Sequence, residues 1–294
     1  MDIGRVGLWQ NVLDQQPTAR VRELVAELEG DGWPCLWYPE STGRDAMVSG
    51  AVLLSATRRM RVATGIAQIH ARHPLTTAAA QKTLAEAFDG RFLLGLGVSH
   101  QPTIEGVRKL DYSRPYSQMV DYLDAMDDAP FTALGPSEAP PRVLAALGPR
   151  MLRLAAERAA GAHPYFVPPE HTAFAREVMG EGPLLAVEQM VVLDTDLTAG
   201  RALAREHMAR YLALPNYANN LRRLGYGDDD LLGEPSDRLV DAVVVCGDET
   251  AIAARVKAHH DAGADHVCVQ VLVQDRLVPP RGAWRRLAAA LLGS

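Results

Sequence analysis

The chain predicts an α/β fold, a (β/α)8 TIM barrel with a helical insertion late in the chain, spanning residues 1–294 as one domain. Three observations carry this. Short apolar runs of strand length alternate with stretches whose apolar residues recur at helical spacing. The run Arg91-Phe92-Leu93-Leu94-Gly95-Leu96-Gly97-Val98-Ser99-His100 begins without a polar interruption, as a strand buried on both faces does. It then opens into a loop bearing glycine, a hydroxyl and an imidazole, a composition suited to a ligand edge. Finally, no Ser/Gly-rich linker divides the 294 residues, a length that one barrel can use. Ligands of such folds bind at the carboxyl ends of the strands, so functional residues are sought there.

In chain order, residues 3–9 form a first strand, and Val21, Leu24, Val25 and Leu28 mark a helix that Gly30 ends. Residues 35–38 are a second strand and 46–57 a helix. Residues 61–69 supply the third strand, and the helix over 75–88 is opened by Pro74, where the missing N–H costs nothing. The strand at Arg91 is the fourth, followed by a helix over 114–126. Residues 142–147 and 162–167 are the fifth and sixth strands, with helices over 150–160 and 169–179 behind them. Residues 184–193 are the seventh, interrupted by Glu188 and Gln189. The alternation then breaks: 198–212 and 217–224 read as helices of an insertion at about 195–240. A brief apolar segment at 242–246, a helix over 249–261, an eighth strand at 266–272 and a helix over 283–292 complete the chain.

With 48% hydrophobic and 22% charged residues the composition is that of a globular protein with a sizeable core. A formal net charge of −6 and the lack of a Lys/Arg run argue against nucleic acid and anionic membranes as partners. Cys35, Cys246 and Cys268 are odd in number, widely spaced and set among apolar residues, which predicts buried free thiols. With no charged-then-apolar leader and no apolar span of bilayer length, the expected compartment is the cytoplasm.

The strand ends offer several chemistries. His70, His73, His100 and His163 would serve a metal only if they converged, and the His-x-His or His-Glu-x-x-His spacings that anchor such sites are missing, so no metal is expected. Ser99 adjoins His100 outside any Gly-x-Ser-x-Gly elbow, which argues against a serine hydrolase. Gly148-Pro149-Arg150-Met151 directly after a strand reads as a phosphate cradle, because the first N–H groups of a helix are free and Arg150 adds a fixed charge beside them. An ordinary helix start is the alternative. Glu40, after Trp37-Tyr38-Pro39, is a carboxyl for acid/base work at the mouth, or else a cap or a partner of Arg44.

These residues resemble the bacterial luciferase-like monooxygenase class, and within it the branch that uses the deazaflavin F420. The resemblance rests on Leu36-Trp37-Tyr38-Pro39-Glu40, Val62-Ala63-Thr64-Gly65-Ile66, the Arg91 to His100 stretch, Leu147-Gly148-Pro149-Arg150-Met151, Gly161-Ala162-His163-Pro164-Tyr165, Leu214-Pro215-Asn216-Tyr217 and Ala262-Gly263-Ala264-Asp265. It implies a barrel holding a flavin-shaped ring in its mouth and its phosphate on the Gly148 helix start. The cofactor residues would then be Pro39 after the second strand, Gly65, Ile66 and Ala67 after the third, Gly97, Val98 and Ser99 after the fourth, and Leu147, Gly148, Pro149, Arg150 and Met151 after the fifth. The resemblance also implies a cis peptide at Gly65–Ile66 and a homodimer.

In sugar-phosphate dehydrogenases of the class a histidine ends the second strand, and Glu40 takes that place here. Glu40 is accordingly the candidate proton-handling residue, with His100 next. The activity implied is hydride transfer between F420 and a small organic substrate, with Arg72 and Arg153 as further contacts for the cofactor's anionic tail. An FMN-dependent monooxygenase and a non-catalytic flavin-binding protein are the alternatives.

Overall fold

A computed structural model describes residues 1–293. Ten strands, all parallel, run β1 (Val6–Trp9), β2 (Cys35–Tyr38), β3 (Arg61–Thr64), β4 (Ala67–Gln68), β5 (Phe92–Gly97), β6 (Arg142–Leu144), β7 (Gly161–Ala162), β8 (Leu184–Val192), β9 (Val244–Cys246) and β10 (His266–Val271). Strand β10 pairs with both β1 and β8, which closes an eight-strand barrel of β1, β2, β3, β5, β6, β7, β8 and β10. Strand β9 pairs with the end of β8, where β10 already occupies the other edge.

The helices are α1 (Thr18–Gly30), α2 (Ala46–Ser55), α3 (Pro74–Ala87), α4 (Pro115–Asp127), α5 (Pro149–Arg158), α6 (Pro169–Met179), α7 (Leu197–Leu212), α8 (Pro215–Arg223), α9 (Asp228–Leu231), α10 (Asp237–Val243), α11 (Glu249–Asp261) and α12 (Arg281–Leu291). Their starts are locally encoded. Asp45, Asp196 and Asp248 accept hydrogen bonds from the first free N–H groups of α2, α7 and α11, and Pro74 sits at the first turn of α3. None of these helices is long and apolar enough to cross a membrane.

Three expectations shift. The third strand does not run through residue 69 but breaks after Thr64, and the chain resumes pairing with β5 as β4. The Gly65–Ile66 peptide between the two is cis, as the resemblance implies. The fifth and sixth strands end early, at Leu144 and Ala162, because the chain there leaves the barrel wall for the mouth. All three thiols are free, but Cys246 is only half-buried, unlike Cys35 and Cys268.

Alternation along the strands sorts side chains between two cores. Trp9, Cys35, Trp37, Ala63, Leu93, Val143, Ala186 and Cys268 cluster inside the barrel, whereas Leu8, Leu36, Val62, Phe92, Val187 and Val267 meet the helices. Arg91, at the foot of β5, is buried and donates to the carbonyls of Leu54, Thr57 and Met60, so its charge is dispersed over the α2–β3 turn and fixes that strand's height.

Candidate functional site

At the carboxyl end of β3 the chain bulges at Gly65–Ile66 before β4, and two glycines make room for it. A Cβ on Gly97 would lie 2.5 Å from the Ile66 side chain, so Gly97 is the space that Ile66 fills. A Cβ on Gly65 would lie 2.7 Å from Trp9 Nε1 and 2.9 Å from His163 Nε2. Gly65 thus lets an indole and an imidazole approach its backbone where any side chain would hold them off. Trp9 Nε1 donates to the Gly65 carbonyl at 3.2 Å. Ala67 is buried and pairs with Leu96, while Pro39, Val98 and Ser99 are half-buried at the rim. Ser99 has a left-handed backbone, φ 61°, and its carbonyl accepts the Tyr112 hydroxyl at 2.8 Å.

His163 is held by a relay through the barrel axis. Its Nδ1–H donates to the Ala186 carbonyl at 2.8 Å and its ring stacks on Trp37 at 4.3 Å. Trp37 Nε1 donates to His266 Nε2 at 3.0 Å, and His266 Nδ1–H donates to the Gly4 carbonyl at 2.7 Å. Both imidazoles are neutral, since burial lowers each to about 4. His163 Nε2 is therefore an acceptor, buried and unpartnered, aimed at Gly65. A buried polar atom without a partner is costly in a protein that does not offer it one from a ligand.

A helix starts where the sequence places the candidate phosphate cradle. The first bond of α5 runs from Leu152 N–H to the Gly148 carbonyl, which leaves the N–H groups of Arg150 and Met151 outside the helix ladder. Pro149 fills the first turn, and Leu147 is anchored by His171 Nε2–H, which donates to its carbonyl at 2.9 Å. Arg150 lies over the Tyr116 ring at 4.2 Å.

Arg72 is not available to an anionic tail. It is bound by Glu40 and Asp45. Arg153 is exposed on α5. A cation beside this helix start that the sequence did not single out is Arg223, at the end of α8, whose Nη2 would lie 3.8 Å from a Cβ on Gly148. Arg223 is oriented by Asn220 Oδ1 at 3.0 Å, and the Asn220 amide nitrogen beside it is buried and unpartnered.

Glu40 departs from its expected surroundings. Its side chain is 3% exposed and takes a bidentate pair from Arg72, itself 8% exposed. The remaining lone pairs accept the N–H groups of Gln68 at 2.7 Å and Ala46 at 3.1 Å. Arg44, the partner considered from sequence, donates instead to the carbonyls of Leu13 and Gln16. Glu40 therefore ties the end of β2 to β4 and α2. His100 is half-buried beside Tyr217, ring centroids 5.4 Å apart, and burial holds it below its ordinary range despite a hydrogen bond with Asn216. His73 caps α3, and among the described residues no group of His, Cys, Asp and Glu side chains converges to hold a metal ion.

The model of the luciferase-like monooxygenase family matches residues 1–266. The chain belongs to that family. A Mycobacterium tuberculosis protein named as a candidate coenzyme F420-dependent oxidoreductase is 27% identical, over 90% of this chain and 94% of its own. Among solved structures, an F420-dependent secondary alcohol dehydrogenase with an F420-acetone adduct superposes with a TM-score of 0.75 at 14% identity, covering 97% of each chain. The oxygenating constituent of a Pseudomonas putida 3,6-diketocamphane monooxygenase, a type II Baeyer-Villiger enzyme in complex with FMN, gives 0.69 at 18% identity, over 98% of this chain and 96% of its own. These luciferase-like relatives are oxidoreductases or monooxygenases on one barrel fold.

Proposed function

We propose that this luciferase-like protein is an F420-dependent oxidoreductase acting on a small organic substrate. The observation that carries the reading is the start of α5, where free N–H groups lie next to Arg150 in the chain and near Arg223 in space, at the strand ends that also carry Gly65. The residues fit a flavin-shaped group. Gly65, the bulge and His163 Nε2 suit a planar ring with a polar edge, and the α5 start suits its phosphate. When bound, the deazaflavin supplies the hydride chemistry. The chain contributes binding through Gly148 to Met151 and Arg223, orientation through the bulge, and shielding from water through the aromatic rings of the mouth. The sequence relative named for F420 supports this cofactor over FMN. The FMN-bound neighbour favours the second reading, an FMN-dependent monooxygenase.

A fluorescence titration of the purified chain with F420 and with FMN separates them. F420 has a lactyl and polyglutamate tail beyond its phosphate, so two flanking arginines should favour it. Arg150→Ala should weaken F420 about tenfold, with a shallower salt dependence than the wild type. Equal affinity for the two flavins would remove the F420 assignment. A homodimer belongs to the same proposal, and a light-scattering mass of one chain would count against it.

A further inference from the structure

The wall facing the bulge contains a carboxyl that the cofactor reading leaves unused. Glu188 lies on β8 two residues from Ala186, which belongs to the barrel interior, and opposite Cys268 of β10, also interior. Alternation therefore turns its side chain into the barrel. It is 1% exposed. Its Oε2 accepts the Phe166 N–H at 3.1 Å, and its Oε1 has no partner. Around it stands a wall of rings from three elements: Tyr165 and Phe166 after β7, Tyr211 on α7 and Tyr217 on α8, with centroid separations of 5.1 to 6.2 Å. Tyr165 continues the wall to Trp9 at 5.2 Å, beside Gly65. Its hydroxyl donates to Gln270 Oε1 and accepts from Tyr211, both at 2.8 Å.

We propose that Glu188 is the group that exchanges a proton with the oxygen of a neutral carbonyl or alcohol held against this tyrosine wall. The inference rests on the oxidoreductase reading and deepens it. Glu40 is saturated by Arg72 and two N–H groups, whereas Glu188 keeps one oxygen without a protein partner. The titratable groups facing Glu188 are Tyr165, Tyr211, Tyr217 and Cys268, all pushed up by burial and so neutral. With no cation to hold its charge, burial raises Glu188 to about 8, and it enters neutral solution carrying its proton.

The same surroundings set the ligand class. Rings, an amide and a neutral acid suit a flat molecule with one acceptor oxygen, while a phosphate or carboxylate would meet no cation there. In the reduction of a ketone, a bound reduced flavin-class cofactor would supply the hydride; as the C–H bond forms the C=O π bond opens onto oxygen, the Glu188 O–H bond breaks, and the alcohol O–H bond forms. Solvent then restores the proton to the carboxylate. The reverse sequence serves oxidation.

Infrared difference spectra of the full chain between pH 6 and 10, with and without cyclohexanone as the probe, test this without turnover. The wild type should show a protonated carboxyl band that titrates near pH 8, shifts on adding cyclohexanone, and is absent from Glu188→Gln. A carboxyl already ionised at pH 7, or a band indifferent to the probe, overturns the proposal. With the cofactor bound, Glu188→Gln should lower kcat on the order of 10²-fold with unchanged cofactor affinity, and Glu188→Asp should recover part of it with a displaced pH profile. A Glu188→Gln enzyme with wild-type kcat and pH profile also overturns it. Failure to bind F420 would instead strike the cofactor reading, since the infrared measurement reports on Glu188 alone.

Discussion

The two sides of the barrel mouth are built on opposite principles. Along β3, β5 and β6 the inward positions near the top are Gly65, Gly95, Gly97 and Ala145, and what fills the space is backbone and the Ile66 side chain. Along β7, β8, β10 and β1 the corresponding residues are His163, Tyr165, Glu188, Gln270 and Trp9, large and polar, with two buried atoms unpartnered. The small side defines a surface by removing side chains, and the large side presents hydrogen-bonding groups to whatever lies on that surface. A planar ligand with a polar edge needs both, and neither side alone would mark a site.

The largest expected effect comes from buried imidazoles, His163 on the polar side together with His171 on α6 and His266 at the foot of β10. All three are neutral when folded, with burial lowering each to about 4. Unfolded histidines take up protons near 6.5, so between about pH 6.5 and 4 the unfolded chain binds more protons and stability falls as pH falls. Each group contributes roughly 3 kcal/mol to that loss by pH 4. Denaturant midpoints should drop steeply between pH 7 and 4.5, and a flat profile would show that these imidazoles are not buried neutral.

On the small side, Gly95→Ala should cost about 3 kcal/mol or more. Its Cβ would stand 2.0 Å from the Thr64 carbonyl oxygen, which belongs to the backbone and cannot swing away. Thr64 Oγ1 also exchanges hydrogen bonds with Gly95 N–H and C=O at 2.8 Å, so the strands are pinned at this point. A urea-derived unfolding free energy within about 1 kcal/mol of wild type would mean that the bulge yields and the side is not rigid.

Glu40→Gln then contrasts two carboxyls of one mouth. Removing the charge leaves Arg72 with Asp45 alone and should cost about 2–3 kcal/mol, with the kcat pH profile unchanged. A stable Glu40→Gln protein with an altered pH profile would return the proton-handling role to Glu40. The smallest effect is at the rim: Arg223→Ala should weaken F420 about tenfold in a fluorescence titration, because the helix N–H groups and Arg150 remain. An unchanged affinity would remove Arg223 from the cradle.

Much of the fold was legible in local pattern. The eight barrel strands, the helices behind them and the insertion follow from periodicity, and the helix start at Gly148 follows from a glycine and proline placed after a strand. These depend on neighbours within a few residues, where spacing dictates burial and N–H groups are left free by helix geometry. What the sequence could not determine is which distant groups satisfy each charge. Arg72 stands 32 residues from Glu40 and claims it, although Arg44 is nearer in the chain. Arg223 reaches Gly148 from the insertion, and Glu188, an interruption in an apolar run when read linearly, joins the tyrosine wall only because β8 turns it inward. Closure of the barrel made those choices, since partners for a buried charge or lone pair are selected by proximity in space, and residue spacing along the chain carries little record of it.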